Sequence, residues 1–354
     1  RTKVLKAIDE RPSKSVLRER YKRSMFSRVV VAGGSGFLGT SVTKELAKRG
    51  IPYVSVSRRD GVDFMNLEDT IEILREHECD ALINCAAFIG GLEFVRQHVA
   101  EVLFANSIMS LNLMEAARRV GVKAFMNTLA NCSYPARASE LKEDEWWDGP
   151  LHESVLAYGS TKKTRWVQSW AYHQQFGFNT INLLLPNMYG PHDYFDVVRS
   201  HALGALIRKF VEAHEHDEPT VEVWGDGSPI REWLYVEDAA EVCVHALGLS
   251  PGIEPINIGI GRGISIRDLA ELVQRIVGYQ GSIVYDQSKP NGAPSKIMNV
   301  ERMRERLEWR PRTDFKDGIR STVEWYRQHR TKILGEETVE ESSQPCPPIL
   351  SSHE

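Results

Sequence analysis

Several things are scarce in this chain, and each scarcity narrows its class. Cysteine is sparse: five in 354 residues (Cys79, Cys85, Cys132, Cys243, Cys346), with no C-x-x-C pair and no zinc spacing. A small, odd-numbered set excludes a disulfide framework and suits a reducing compartment, so a cytoplasmic location is expected. No apolar run approaches the ~20 residues that cross a bilayer as a helix, and residues 1–26 hold no continuous apolar stretch of the kind a secretory signal has. No sign of charge dominates: 44 Lys/Arg against 48 Asp/Glu leave a net −4, too little to attract nucleic acid or a membrane surface. Neither partner is expected. No internal repeat is visible either.

What is present suits a large α/β protein. A length of 354 residues with 42% hydrophobic content supports one large domain or two closely joined ones. Residues 1–26 carry nine Lys/Arg against three Asp/Glu and read as a flexible basic extension, in preference to an arm for an acidic partner. Residues 331–354 end in acids, Ser and Pro and read as a disordered tail. Between them, short β-rich runs alternate with helical stretches. Strands are expected at 28–32, 53–57, 81–85, 124–128 and 179–185, and helices at 37–49, 67–77, 99–120 and 158–176. That order implies a doubly wound, Rossmann-type parallel sheet. VVVA and ALINCAA are apolar throughout, as central parallel strands are. After Pro186 the pattern changes to helices at 201–213, 236–247, 266–277 and 315–327 with short strands at 221–224, 256–258 and 283–285. The expected division is a dinucleotide-binding domain over 27–186, with 236–260 returning to it, and a smaller α/β substrate-binding lobe from 187–235 and 261–330.

The first strand runs into Gly33-Gly34-Ser35-Gly36-Phe37-Leu38-Gly39 and then a helix. Gly33 permits a tight turn, Gly36 lets backbone approach a pyrophosphate, and Gly39 lets the helix sit close to the strand. The unpaired N–H groups of the helix start, from Ser35 to Leu38, then face the phosphates. The second strand ends in Ser57-Arg58-Arg59-Asp60 where an NAD enzyme has an acid for the ribose hydroxyls; paired guanidiniums suit a 2′-phosphate, so NADP(H) is the expected cofactor. Asp63-Phe64 offers an acid to the adenine amino group, and Ala86-Ala87 leave room at the end of the third strand.

Tyr158 and Lys162 lie at i, i+4 on one helical face about 120 residues after the glycines. An ammonium beside a phenol favours the phenolate, which equips the Tyr to exchange a proton with a carbonyl oxygen. The order of glycine motif, fourth strand and Y-x-x-x-K is that of short-chain dehydrogenase/reductases.

Over about residues 28–328 the chain resembles a branch of the extended members of that superfamily, the enzymes like GDP-L-fucose synthase. The resemblance rests on AAFIGG (86–91), NCSYP (131–135), YGSTK (158–162), PNMYGPHDYF (186–195), VWGDGSPIREW (223–233) and DQSKPNG (286–292). It implies a GDP-linked 4-keto-6-deoxy hexose as substrate. Epimerisation at carbons 3 and 5 would use a Cys and a His, matched by Cys132 and His192, and reduction at carbon 4 would use Tyr158 and Lys162. The ketone makes this feasible, since it acidifies the neighbouring C–H groups. Pro186, Asn187 and His192 would line the cofactor. Asn187, Trp224, Arg231, Asp286 and Lys289 would hold the nucleotide sugar. By analogy with the superfamily, helices 99–120 and 158–176 would form a homodimer interface.

Two positions depart from that pattern. Ala130 stands where the branch has a catalytic Ser, and Tyr194 where it usually has Asn. Loss of one donor to a reacting oxygen costs about 10²–10³ in rate if nothing replaces it; Thr128, Asn131 or a water are the candidate replacements. The alternatives are therefore a related epimerase or reductase with partial activity, or a non-catalytic nucleotide-sugar-binding subunit. The retained Cys132, Tyr158, Lys162 and His192 weigh against the last. A 4,6-dehydratase is disfavoured because Asn131-Cys132 replaces the Asp-Glu those enzymes need.

Overall fold

The computed structural model describes residues 26–249, 252–289 and 291–340. The basic extension expected over 1–26 lies outside them apart from Phe26, as does the tail from 341 onward. The strands are β1 Val29–Ala32, β2 Tyr53–Val56, β3 Ala81–Asn84, β4 Ala124–Ala130, β5 Thr180–Leu185, β6 Asn187–Tyr189, β7 Thr220–Trp224, β8 Ile230–Arg231, β9 Trp233–Tyr235, β10 Pro255–Asn257, β11 Ile264–Ser265, β12 Ser282–Asp286 and β13 Ser295–Lys296.

Six of them make one parallel sheet in the order β10-β5-β4-β3-β1-β2. The pleat of β1 explains why it has no polar face. Val29 and Val31 point into one apolar cluster with Val42 and Leu46, while Val30 and Ala32 point into another with Leu74 and Leu113. Helices Phe37–Lys48 and Val236–Ala246 cover the first face; Leu67–Glu76, Val99–Val120 and Leu156–Phe176 cover the second. The side chain of Asn66 caps Leu67–Glu76 by accepting from the N–H groups of Glu68 and Asp69. Strand order reverses direction between β1 and β3. In sheets of this kind that reversal opens a crevice at the carboxyl ends of the strands.

A third apolar cluster belongs to the smaller lobe. Helices Ala202–Glu215, Ile266–Val277 and Phe315–Glu340 enclose Phe210, Val273 and Tyr326 against the parallel pair β7–β12. Short two- and three-residue strands pair among themselves in two further small sheets, β11-β8-β13 and β6-β9. The last helix runs to Glu340, ten residues into the stretch expected to be tail. Among the described residues no helix is long and apolar enough to cross a membrane.

Gly39 sets the seat of the first helix. A Cβ there would overlap the carbonyl oxygen of Gly33 and stand 2.7 Å from Cα of Gly34. Both obstacles are backbone, so neither yields cheaply. Gly39→Ala is expected to lower unfolding free energy by roughly 2–3 kcal/mol, measured as a lower urea midpoint at unchanged m-value.

Candidate active site

Gly33 adopts φ +77°, a region that favours glycine. Its N–H donates to the Val56 carbonyl at 2.7 Å, and a Cβ would meet N and Cα of Ala86 at 2.8 Å. The turns after β1 and β3 therefore touch across the crevice. Gly36 caps the following helix without a side chain, and the first turn holds no acidic residue. That leaves a bare positive helix end beside Ser35, Phe37 and Leu38, the setting a pyrophosphate needs. Beyond β2, Arg58 and Arg59 lie on a short 3₁₀ turn, both exposed and without an ion pair among the described residues. Asp63 is committed locally, accepting from the Met65 N–H at 2.9 Å. Phe64 is buried, Ala86 buried, and Ala87 exposed.

The chemistry-bearing residues gather where β4 meets helix Leu156–Phe176. Lys162 is 2% exposed; its Nζ donates to the Thr128 carbonyl at 2.9 Å and stands 4.9 Å from the ring centre of Tyr158. Cys132 lies on the 3₁₀ turn Asn131–Ser133 that ends β4. That turn is fixed twice. Ser133 Oγ donates to the Ala130 carbonyl at 2.5 Å, and Trp146 Nε1 donates to Ser133 Oγ at 3.0 Å. Gly159 lets it lie flush on the helix, since a Cβ there would meet the Cys132 carbonyl oxygen at 2.9 Å. Cys132 and Tyr158 are close enough to act on each other electrostatically.

Burial governs the electrostatics. It raises the Tyr158 phenol and the Cys132 thiol above their ordinary ranges and drives the Lys162 ammonium well below its own. The lowered Tyr158 acidity range expected from its lysine neighbour is thus not realised; the cation that opposes burial at Tyr158 is Arg165.

Two of the residues expected to stand in for the hydroxyl missing at Ala130 differ in what they have free. Thr128 is committed: its Oγ1 donates to the Asn84 carbonyl at 2.7 Å. Asn131 is 4% exposed, and its Nδ2 is buried without a hydrogen-bond partner among the described residues. A buried, unsatisfied amide donor calls for an acceptor from outside the chain.

His192 is not brought to this cluster. At φ +70° it turns toward Lys44, whose Nζ is 3.0 Å from His192 Nε2, and its ring lies 4.8 Å from Trp325. The charges acting on it are those of Lys44 and His329, not of Cys132 or Tyr158. A second histidine, passed over as the first residue of an expected helix, is the more enclosed of the two. Burial lowers the pKa of His201, and its imidazole has no hydrogen bond among the described residues. The backbone leading to it is clamped on the loop after β3: the Gly91 N–H donates to the Arg199 carbonyl at 2.7 Å, and a Cβ on Gly91 would overlap the Ser200 carbonyl.

On the lobe side, β13 pairs Lys296 with Arg231 of β8. Lys296 is half-buried and acts electrostatically on Cys132, which no pattern in the sequence announced. The expected lysine, Lys289, instead stands 5.2 Å from the half-exposed ring of Trp224. Asp286 is a loop cap, accepting from the Ser288 N–H and hydroxyl. Asn187 Nδ2 donates to the Glu232 carbonyl at 3.4 Å beside the buried Pro186. The Glu232 carboxylate accepts from the N–H groups of Ile260, Gly261 and Met298, and burial still raises it to about 7.

Comparison with known proteins agrees with this geometry. Residues 29–259 match the NAD dependent epimerase/dehydratase family. The GDP-L-fucose synthase of Sinorhizobium fredii is 35% identical over 84% of this chain and 94% of its own length. That of Escherichia coli is 30% identical over 87% and 99%. Among solved structures, a GDP-6-OMe-4-keto-L-xylo-heptose reductase from C. jejuni aligns with a TM-score of 0.80 at 26% identity, covering 86% of this chain and 98% of the other. A GDP-mannoheptose C4 reductase from Campylobacter jejuni with NADP bound aligns with a TM-score of 0.74 at 27% identity, covering 85% and 98%.

Because the Lys296 charge favours the Cys132 thiolate, removing it raises the thiol pKa further and leaves less thiolate at any given pH. Lys296→Met is expected to slow iodoacetamide alkylation of Cys132 at pH 8 by roughly tenfold, because less of the thiol is ionised. Peptide mass mapping of the alkylated cysteine reads the result.

Proposed function

The chain belongs to the NAD dependent epimerase/dehydratase family, and we propose that within it the protein is an NADP(H)-dependent epimerase/reductase of a GDP-linked 4-keto-6-deoxy hexose. The observation that carries this reading is the convergence of Tyr158, Lys162 and Cys132 at the carboxyl end of β4, opposite the Arg231–Lys296 edge of the lobe. The GDP-sugar activities of the relatives and the NADP bound in a structural neighbour support it.

The residues present fit the cofactor. A Cβ at Gly33 or Gly39 would strike backbone, so glycine there keeps the turn that presents the helix start to a pyrophosphate, and Arg58 and Arg59, without an ion pair among the described residues, suit a 2′-phosphate. When bound, NADPH supplies the hydride that reduces the ketone at carbon 4. Tyr158 holds the proton exchanged with that ketone oxygen, and Asn131 Nδ2 donates to the same oxygen in place of the serine hydroxyl lost at Ala130. Cys132 moves a proton at carbons 3 and 5 on one face of the ring. His201, rather than the expected His192, serves the other face; its burial keeps the imidazole neutral, ready to accept a proton. Arg231 and Lys296 hold the diphosphate, with Trp224 and Lys289 at the rim.

A second reading is favoured by Ala130 and by the C4 reductase among the neighbours: reduction without epimerisation. The proposal extends to a homodimer, supported by the apolar side chains Leu103, Phe104, Leu111, Val167 and Trp170 exposed on helices Val99–Val120 and Leu156–Phe176. Sedimentation at micromolar concentration showing a monomer would remove that part.

Incubation with GDP-4-keto-6-deoxymannose and NADPH is expected to bleach nicotinamide absorbance, and incubation in heavy water without cofactor to place deuterium at carbons 3 and 5. Unchanged absorbance sinks the reductase claim; bleaching without deuterium selects the second reading. Cys132→Ser and His201→Asn should each cut deuterium uptake by about 10²-fold or more, while His192→Asn stays within about threefold. Equal loss in both histidine variants refutes the assignment. Ala130→Ser is expected to speed reduction by up to about tenfold, a small gain because Asn131 already donates.

A further inference from the structure

The segment after the 3₁₀ turn Glu143–Glu145 carries two adjacent tryptophans of different standing. Trp147 is half exposed, with Lys163 Nζ 4.3 Å from its ring centre, while Trp146 is fully buried. A buried indole needs an acceptor for its one N–H. Trp146 Nε1 finds it in the hydroxyl of Ser133 at 3.0 Å. Ser133 is equally buried, and its own proton goes to the Ala130 carbonyl at 2.5 Å. A hydroxyl that accepts on one side and donates on the other has its rotation fixed. That bond closes the turn Asn131–Ser133, of which Cys132 is the middle residue.

The far end of the turn is tied to the same segment. Tyr134 Oη donates to Asn257 Oδ1 at 2.7 Å, and the Asn257 N–H donates to Glu143 Oε1 at 2.8 Å. Residues 143 and 146 thus grip residues 134 and 133. The segment is in turn seated on the helix that bears Tyr158. Lys163 Nζ donates to the Trp146 carbonyl at 2.7 Å, and the rings of Trp146 and Trp166 meet edge to face at 6.0 Å. Ser133, Tyr134, Glu143, Trp146 and Asn257 are all at least nine-tenths buried, so water competes little for these bonds. The contact at Gly159 sets how closely turn and helix approach; this relay resists their parting.

We propose that Trp146 is a positioning residue for Cys132: its indole N–H, acting through the Ser133 hydroxyl, holds the thiol-bearing turn at one setting against the helix of Tyr158. A misplacement of about 1 Å in a reacting group can cost about 10²-fold in rate. The inference rests on the role in proton transfer given above to Cys132, yet the setting of the turn exists without substrate, and one arm of the test reads it directly.

Trp146→Phe removes the N–H and keeps an aromatic ring; Ser133→Ala removes the hydroxyl. In heavy water with GDP-4-keto-6-deoxymannose, kcat for deuterium uptake should fall by about tenfold in the first variant and about thirtyfold in the second, with KM within about twofold of wild type. The double variant should match Ser133→Ala within about twofold, because the N–H then has nothing left to hold; independent effects would multiply to roughly 300-fold. Without substrate, a loosened turn bares its thiol, so iodoacetamide should alkylate Cys132 at least about threefold faster in each variant. Cys79 and Cys243, buried elsewhere, should keep their wild-type rates by peptide mass mapping. Unchanged or slower alkylation of Cys132, unchanged uptake, or multiplied losses overturn the proposal. So does faster alkylation of all three cysteines, which would assign the effect to general unfolding. Should Trp146→Phe not fold, Ser133→Ala must still show faster alkylation together with slower uptake. A wild type that places no deuterium in the sugar refutes the function proposed above, and the alkylation rates then decide this inference by themselves.

Discussion

One carbonyl oxygen, that of Thr128, joins the scaffold to the chemistry. It sits near the end of a strand buried on both faces, and it receives Lys162 and Arg165 from the helix packed over that strand. Because β4 pairs with β3 over Ala124–Asn127 and with β5 over Phe125–Ala130, that oxygen is held by the sheet. Two long cationic side chains, ordinarily the most mobile in a protein, are thereby given fixed positions. The threonine's own hydroxyl is spent on the neighbouring strand at Asn84, which further stiffens the site and removes the residue from direct work on substrate. A polar cluster this deep is tolerated where its donors are satisfied; among the described residues Asn84 Nδ2 and Asn131 Nδ2 are left without a partner, the second of them next to Cys132 in the chain.

The two sides of the cleft are built by different means. The sheet side uses long buried strands and a glycine cradle, so its geometry is set by backbone. The lobe side uses strands of two residues, β8 and β13, that bring Arg231 and Lys296 together. These are anchored by Glu232, whose carboxylate gathers three backbone N–H groups from two loops. A carboxylate with three donors is ordinarily strongly acidic; here burial outweighs them.

How much was legible in the sequence follows from length and period. The helices Val99–Val120 and Ile266–Val277 coincide with their expected bounds, because three or more turns carry a clear apolar stripe. The buried strands showed as apolar runs, and the glycine spacing announced its turn. Strands of two residues have no period, so β8 and β13 were invisible, and with them the proximity of Lys296 to the thiol. Lys289 drew the eye because its motif was familiar; only the fold shows it at the rim. Arg165 could not be read as buried until the helix was laid over β4. His192 and His201 differ by nine positions in one loop, and no local rule separates them: the left-handed backbone at 192 turns one imidazole toward Lys44, while the clamp of Arg199 on Gly91 carries the other inward.

The absent side chain at residue 159 has a larger effect than its size suggests. With only hydrogen there, the turn bearing the thiol rests directly on the helix bearing the phenol. The backbones that carry sulfur and oxygen are therefore held against each other with no side chain between them. The spacing of thiol-bearing turn and phenol-bearing helix is thus written into the main chain, and any larger residue at that one position would force the two apart.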